Sequence, residues 1–179
     1  MKYKELLDLI EEGENIQCEF KRKFSTPEKI AREMIAFANT KGGIILFGVD
    51  DDKKIIGVES EKETTELVKD AALNYCEPPL DYSIEYREVD SKEIVIVNIP
   101  ESEKKPHRIQ DYQSELDITT AIVPIRVNDK SVQASKEMIR ILRAQSNQSA
   151  LKKYVLGLTE KLVFEYLSKK ERISVRELS

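Results

Sequence analysis

The stretch that decides the fold is AFANTKGGIILFGVDDDKKIIGV, residues 36–58. Its first residues finish a helix, Gly42-Gly43 ends that helix, and Ile44 to Val49 is an unbroken apolar run closed by three aspartates. A short apolar run bounded by glycines and aspartates predicts a strand buried on both faces. Asp50, Asp51 and Asp52 then fall just past the carboxyl end of that strand, where open α/β sheets place their working groups. Lys53-Lys54 turns the chain, and Ile55 to Val58 is expected to return as the second strand of a hairpin.

Upstream, Leu6, Leu7 and Ile10 share one side of a helix over Tyr3 to Glu12, with Gly13 as its C-terminal cap. Ile16, Cys18 and Phe20 alternate with Gln17, Glu19 and Lys21, the period of a half-buried strand, so Glu19 and Lys21 share its polar face. Ser25-Thr26-Pro27-Glu28 opens a second helix that runs to the glycine pair. Strand, helix, strand is a crossover, which leaves the two strands either parallel neighbours or separated by an intervening strand.

Downstream, Glu61 to Tyr75 has apolar residues at helical spacing and is stopped by Pro78-Pro79. Tyr82 to Val89 and Glu93 to Pro100 read as an antiparallel hairpin turning at Asp90-Ser91-Lys92, which makes the sheet mixed. Residues 101–120 read as a long surface loop, and Ile122 to Val127 as a last strand in which Pro124 is tolerable at an edge or bulge. Asn128-Asp129-Lys130 makes a turn, and Ser135 caps a helix over Glu137 to Ala144. The fold class is α/β (α+β), a mixed β-sheet packed with helices.

At 179 residues the chain has room for one main domain and an appendage. The expected division is a domain over 1–145, a small polar linker over 146–155, and a helical segment over 156–179. That last segment reads as the start of a winged helix-turn-helix whose recognition helix would lie beyond Ser179. No apolar run is long enough to span a membrane and the N-terminus is not a leader, so a cytoplasmic protein is expected. Cys18 and Cys76 lack metal-type spacing and His107 is the single histidine, so any metal would be held by carboxylates. The net charge of −4 argues against indiscriminate coating of nucleic acid. The charge is segregated, however: residues 19–32 carry five bases against two acids, and residues 50–70 eight acids against four bases. Such segregation suits a basic groove beside an acidic site, and equally suits solvated helix faces.

The block from Glu14 to Val58, with Glu14 five residues before Glu19, then EFK, AFANTKGGIILFGVDDD and IIGV, resembles the AlbA_2 domain of the Schlafen family. IRVN followed by ASKEMI is similar to that domain's closing strand and helix. The resemblance implies a mixed α/β domain that binds nucleic acid, followed in prokaryotic members by a winged-helix region. It further implies that a chain with one lobe supplies the second by forming a homodimer. The function so implied is that of a DNA-binding transcriptional regulator.

The alternative is a divalent-metal-dependent endoribonuclease cleaving structured RNA such as tRNA, an activity known in some Schlafen members. Carried onto this chain, their two glutamates and one aspartate become Glu14, Glu19 and either Asp50 or Asp51, with Asp51 preferred. Mg²⁺ or Mn²⁺ accepts such an oxygen set and can acidify a bound water. Lys21, on the same strand face as Glu19, is placed by the i, i+2 rule to contact the scissile phosphate or orient the water. Asp50 to Asp52 equally suits a plain turn, because aspartate accepts local backbone hydrogen bonds. The bases assigned to phosphates are Lys21, Arg22, Lys23, Arg32, Lys104, Lys105, Arg108 and Arg126, and Tyr112 is available to stack on a base. ATP binding is rejected: no G-x-x-x-x-G-K-[ST] pattern occurs, and Lys41 precedes the glycines instead of following them.

Overall fold

The computed structural model describes residues 1–22 and 25–152, with side chains as far as residue 146. Internal contacts divide the chain into a unit Met1–Ser146 and a unit Asn147–Ser179. Lys23 and the winged-helix segment expected over 156–179 lie outside the described residues.

The first unit runs α1 (Tyr3–Glu12), β1 (Cys18–Lys21), α2 (Pro27–Asn39), β2 (Gly43–Phe47), α3 (Glu61–Asn74) and β3 (Cys76–Glu77). It continues with β4 (Ser83–Val89), β5 (Lys92–Ile99), β6 (Arg108–Ile109), β7 (Pro124–Val127), β8 (Lys130–Gln133) and α4 (Lys136–Lys152). The main sheet has the order β1-β2-β5-β4. β1 and β2 are parallel neighbours joined by α2, and β2 with β5 and β5 with β4 are antiparallel.

The apolar run of β2 is buried on both faces, as its composition predicts. Ile45 and Phe47 enter one core with α2 and α3, while Leu46 and the following Val49 enter a second core with Leu6 and Ile10 of α1. Gly42 is what allows α2 to stop and β2 to begin within three residues. It sits at φ +70 and donates its N–H to the Phe37 carbonyl at 2.9 Å. Gly43 is needed for a different reason, close packing: a Cβ there would lie 2.3 Å from the Phe37 ring.

The structure corrects the expected strand over Ile55 to Val58. That segment keeps one isolated bridge, Val49 to Ile55, and then crosses the chain at Gly48 and Gly57. A Cβ on Gly48 would lie 2.9 Å from the Gly57 carbonyl carbon, so the crossing excludes side chains and with them a regular ladder. The last strand is also more than was read: Asn128-Asp129 turns β7 back into β8, forming a separate two-stranded sheet. α4 runs through the polar stretch 145–150 to Lys152.

Residues 101–120 hold more structure than a surface loop. Asn39 at the end of α2 accepts the His107 N–H at 2.8 Å and donates to the carbonyls of His107 and Pro124 at 2.9 Å each. The His107 ring bridges the Pro78 carbonyl at 2.8 Å and the Ser102 hydroxyl at 2.6 Å. These bonds tie the loop and β7 to one buried helix end.

Both cysteines are packed into these cores, and burial pushes each thiol up to about 12; Glu14 and Glu19 add to the effect on Cys18. Neither Cys18 nor Cys76 is therefore expected to react with iodoacetamide at pH 8 in the native protein, and both should react in denaturant, as intact-mass measurement would show. Gly43→Ala should destabilise the domain by about 1–3 kcal/mol in urea titration, because the added methyl drives the Phe37 ring from its place.

Candidate carboxylate and phosphate site

Glu19 lies on β1 opposite Ile45 of the parallel strand, so its side chain points to the sheet face covered by α2. It is only 7% exposed, which corrects the expectation of a solvated polar face. The burial is compensated by cations. Lys21, two residues on and on the same face, donates to Glu19 Oε1, and Arg126 of β7 donates to Glu19 Oε2 at 2.9 Å.

Arg126 is the hub of this arrangement. Its Nη1 also reaches Glu33 Oε2 of α2 at 3.0 Å and Ser131 Oγ of β8 at 3.3 Å, and its Nη2 donates to the Asn15 carbonyl at 2.9 Å. The guanidinium carbon stands 4.7 Å above the centre of the Phe37 ring. Its backbone N–H is held by Thr40 Oγ1 at 3.0 Å, and its side chain is wholly buried. Only Nε is left, among the described residues, without an acceptor. Sequence reading placed Arg126 on a phosphate; the structure places it inside the protein.

Glu14 follows the cap of α1 and turns back to accept the Phe20 N–H at 2.8 Å. Partial burial raises its pKa above the usual 4.5 against the lowering effect of that hydrogen bond, with further upward pushes from Glu19 and Asp51. The three carboxylates assigned from sequence are therefore electrostatic neighbours. Asp50 has a different task. It is buried, accepts the Lys54 N–H on Oδ1 at 2.8 Å, and shapes the turn in which Lys53 reaches the Glu11 carbonyl at 2.7 Å at the end of α1. Asp51 is exposed at the tip of that turn.

Whether these groups suit Mg²⁺ or Mn²⁺ is decided by their free oxygens. Both Glu19 oxygens face a cation, one Glu14 oxygen and one Asp50 oxygen hold backbone amides, and among the described residues no three His, Cys, Asp or Glu side chains are arranged to hold a metal ion. The set as folded does not fit the metal.

The remaining bases divide sharply. Lys105 is buried against Glu101 and the Thr40 carbonyl, and Arg108 is buried against Glu77 at 2.8 Å and Asp111 at 3.3 Å. Arg32 pairs with Glu28 one turn away at 3.2 Å. Arg22 and Lys104 are exposed and, among the described residues, form no ion pair. Tyr112 is 87% exposed. Lys21 and Arg22 line a cleft of about 570 Å³ at the carboxyl ends of β1 and β2, with Phe47 and Leu67 on its apolar side and Ser60 and Glu63 at the start of α3.

Glu33 and Ser131 were not found by sequence reading. The available signal was Glu33 one turn before Phe37, which puts an acid on the same face as a buried aromatic. Because the Glu14 pKa is raised, its ionised form opposes folding above that raised value and the penalty disappears below 4.5. Glu14→Gln, which keeps the oxygen facing Phe20, should accordingly raise the melting temperature at pH 7 and leave it unchanged near pH 4, as calorimetry at both pH values would show.

Among solved structures, a crystal structure of a Corynebacterium diphtheriae protein matches with a TM-score of 0.53 at 19% identity over 73% of this chain. The match spans about a quarter, 24%, of that protein's length, and the likeness is one of fold. The solution structure of the N-terminal domain of a Nitrosomonas europaea protein, described as related to the ATP-dependent DNA helicase RecG, matches with a TM-score of 0.50 at 25% identity. That match covers 63% of this chain and 81% of the domain. The sequence profile of the family described as Schlafen, AlbA_2 matches residues 14–135, the span from the Glu14 turn through β8 to the cap of α4, and the chain belongs to that family.

Proposed function

We propose that this chain binds nucleic acid through its phosphate backbone, as the DNA-binding part of a transcriptional regulator. The observation that carries the reading is the cleft at the ends of β1 and β2, where Lys21 and Arg22 stand together beside an apolar wall. A phosphate is drawn to the Lys21 and Arg22 side, because Glu59 and Glu63 line the cleft at the start of α3. Lys104 and the projecting Tyr112 are further candidates for a phosphate and for a stacked base. The family supports a nucleic-acid role, and so does a structural neighbour described as related to a DNA helicase. A homodimer belongs to the same proposal, since two copies would offer two such clefts to one nucleic acid.

The second reading, a metal-dependent endoribonuclease, is favoured by one observation: Glu19 and Asp51 both lie near enough to Glu14 to raise its pKa. The cations on Glu19 weigh against it.

The test is fluorescence anisotropy of the full chain with labelled duplex DNA and labelled transfer RNA across a salt series. Binding should weaken as salt rises, and Arg22→Ala should lower the log–log salt slope by about one. Salt-independent retention, or none, would discard the binding reading. The same substrates incubated with Mn²⁺ should stay intact, and cutting that disappears in Glu19→Gln would move the assignment to the nuclease.

A further inference from the structure

We propose that Arg126 is a built-in counter-cation that closes the Glu19–Glu33 pair to divalent metal, so that this domain works without one. The inference stands apart from the nucleic-acid reading, because it concerns the occupancy of the carboxylates and is measured without any nucleic acid.

A divalent ion needs carboxylate lone pairs that face an open volume. In this chain the guanidinium fills that volume. Its Nη1 lies 2.9 Å from Glu19 and 3.0 Å from Glu33, which draws acids from β1 and α2 to one nitrogen. Lys21 brings a second positive charge to the same Glu19, and Ser131 occupies the Glu33 oxygen that faces Arg126. A metal ion binding Glu19 would therefore sit against two cations, and Mg²⁺ would also have to give up water to do so.

The arginine is also not free to swing away. Thr40 holds its backbone, the Asn15 carbonyl holds Nη2 at 2.9 Å, and the Phe37 ring lies beneath it. Turning outward would break these contacts while leaving Glu19 and Glu33 nearly buried beside each other. The unsatisfied Nε shows which demand prevailed: the fork is spent on the two acids and the Asn15 carbonyl, at the cost of one buried donor.

Removing the positive charge should then leave Glu19 and Glu33 as two facing carboxylates open to a divalent ion. Mn²⁺ binding is measured by electron paramagnetic resonance on the full chain for the wild type, Glu19→Gln and Arg126→Gln. The expected result is that wild type and Glu19→Gln bind Mn²⁺ equally weakly, while Arg126→Gln gains a saturable site at least ~10-fold tighter, the scale on which groups around a metal tune its affinity. A saturable site in the wild type that is lost in Glu19→Gln would overturn the proposal. So would an Arg126→Gln protein with a native circular dichroism spectrum and no gain. Since Arg126→Gln leaves two acids without their partner and is the variant at risk of not folding, the comparison of wild type with Glu19→Gln decides the matter without it.

Discussion

The buried guanidinium of Arg126 is the point at which separate parts of this fold are joined. It belongs to the β7–β8 hairpin, yet its partners are Glu19 on β1, Glu33 on α2, and the carbonyl of Asn15 in the turn before β1. Those elements come from three places in the chain more than ninety residues away in sequence. Such a pair is costly to assemble, because both partners must leave water, and apolar replacement of a whole buried pair is often neutral or better. Removal of one partner is another matter, since the abandoned charge stays buried at a cost of about 3–5 kcal/mol. The arrangement fixes where the hairpin's cation sits, against Glu19 of β1 and Glu33 of α2.

The glycines next to this node serve the same geometry. Gly43 gives the Phe37 ring room to lie against the strand, and the ring in turn forms the floor under Arg126. Gly42 lets the chain leave α2 soon enough for Thr40 to face the Arg126 backbone. The segment that sequence reading could mistake for a phosphate loop is thus a joint between helix, strand and hairpin. Its glycines answer to side chains and backbone already in the protein.

Much of the main sheet was legible because it depends on local pattern: the apolar run of β2, the alternation in β1, the Thr26-Pro27 helix start and the β4–β5 hairpin all carry their signals within a few residues. The errors came where long-range contacts decide. Alternation marked Glu19 as polar, but nothing in its own strand tells that a hairpin a hundred residues later will cover it. Ile55 to Val58 has the composition of a strand, and only the crossing of Gly48 with Gly57 prevents a ladder. Arg108 and Arg126 look like surface bases because arginine usually is one; their acids, Glu77, Glu19 and Glu33, are distant in sequence. Glu14, Glu19, Asp50 and Asp51 were read as metal ligands and Arg126 as a phosphate contact, whereas in the fold Glu19 is held by Arg126 and Lys21 and Asp50 by the Lys54 amide.

That reassignment changes what kind of nucleic-acid binder the domain can be. Of the eight bases marked for phosphates, Lys105, Arg108 and Arg126 are consumed inside the protein, Arg32 shares its charge with Glu28, and Lys21 is shared with Glu19. Arg22 and Lys104 are exposed and form no ion pair among the described residues, and Lys23 lies outside them. Each phosphate that Arg22 or Lys104 neutralises contributes about 0.9 to the salt slope, and exposed bases outside the marked set, Lys29, Lys41 and Lys62 among them, can add to it. A net charge of −4 adds a general repulsion that must also be overcome. Under the proposed binding, a second copy of the domain would bring a second set of such contacts. Joining two such weak sites multiplies affinity without any new contact within either one, so long as both can reach the same duplex.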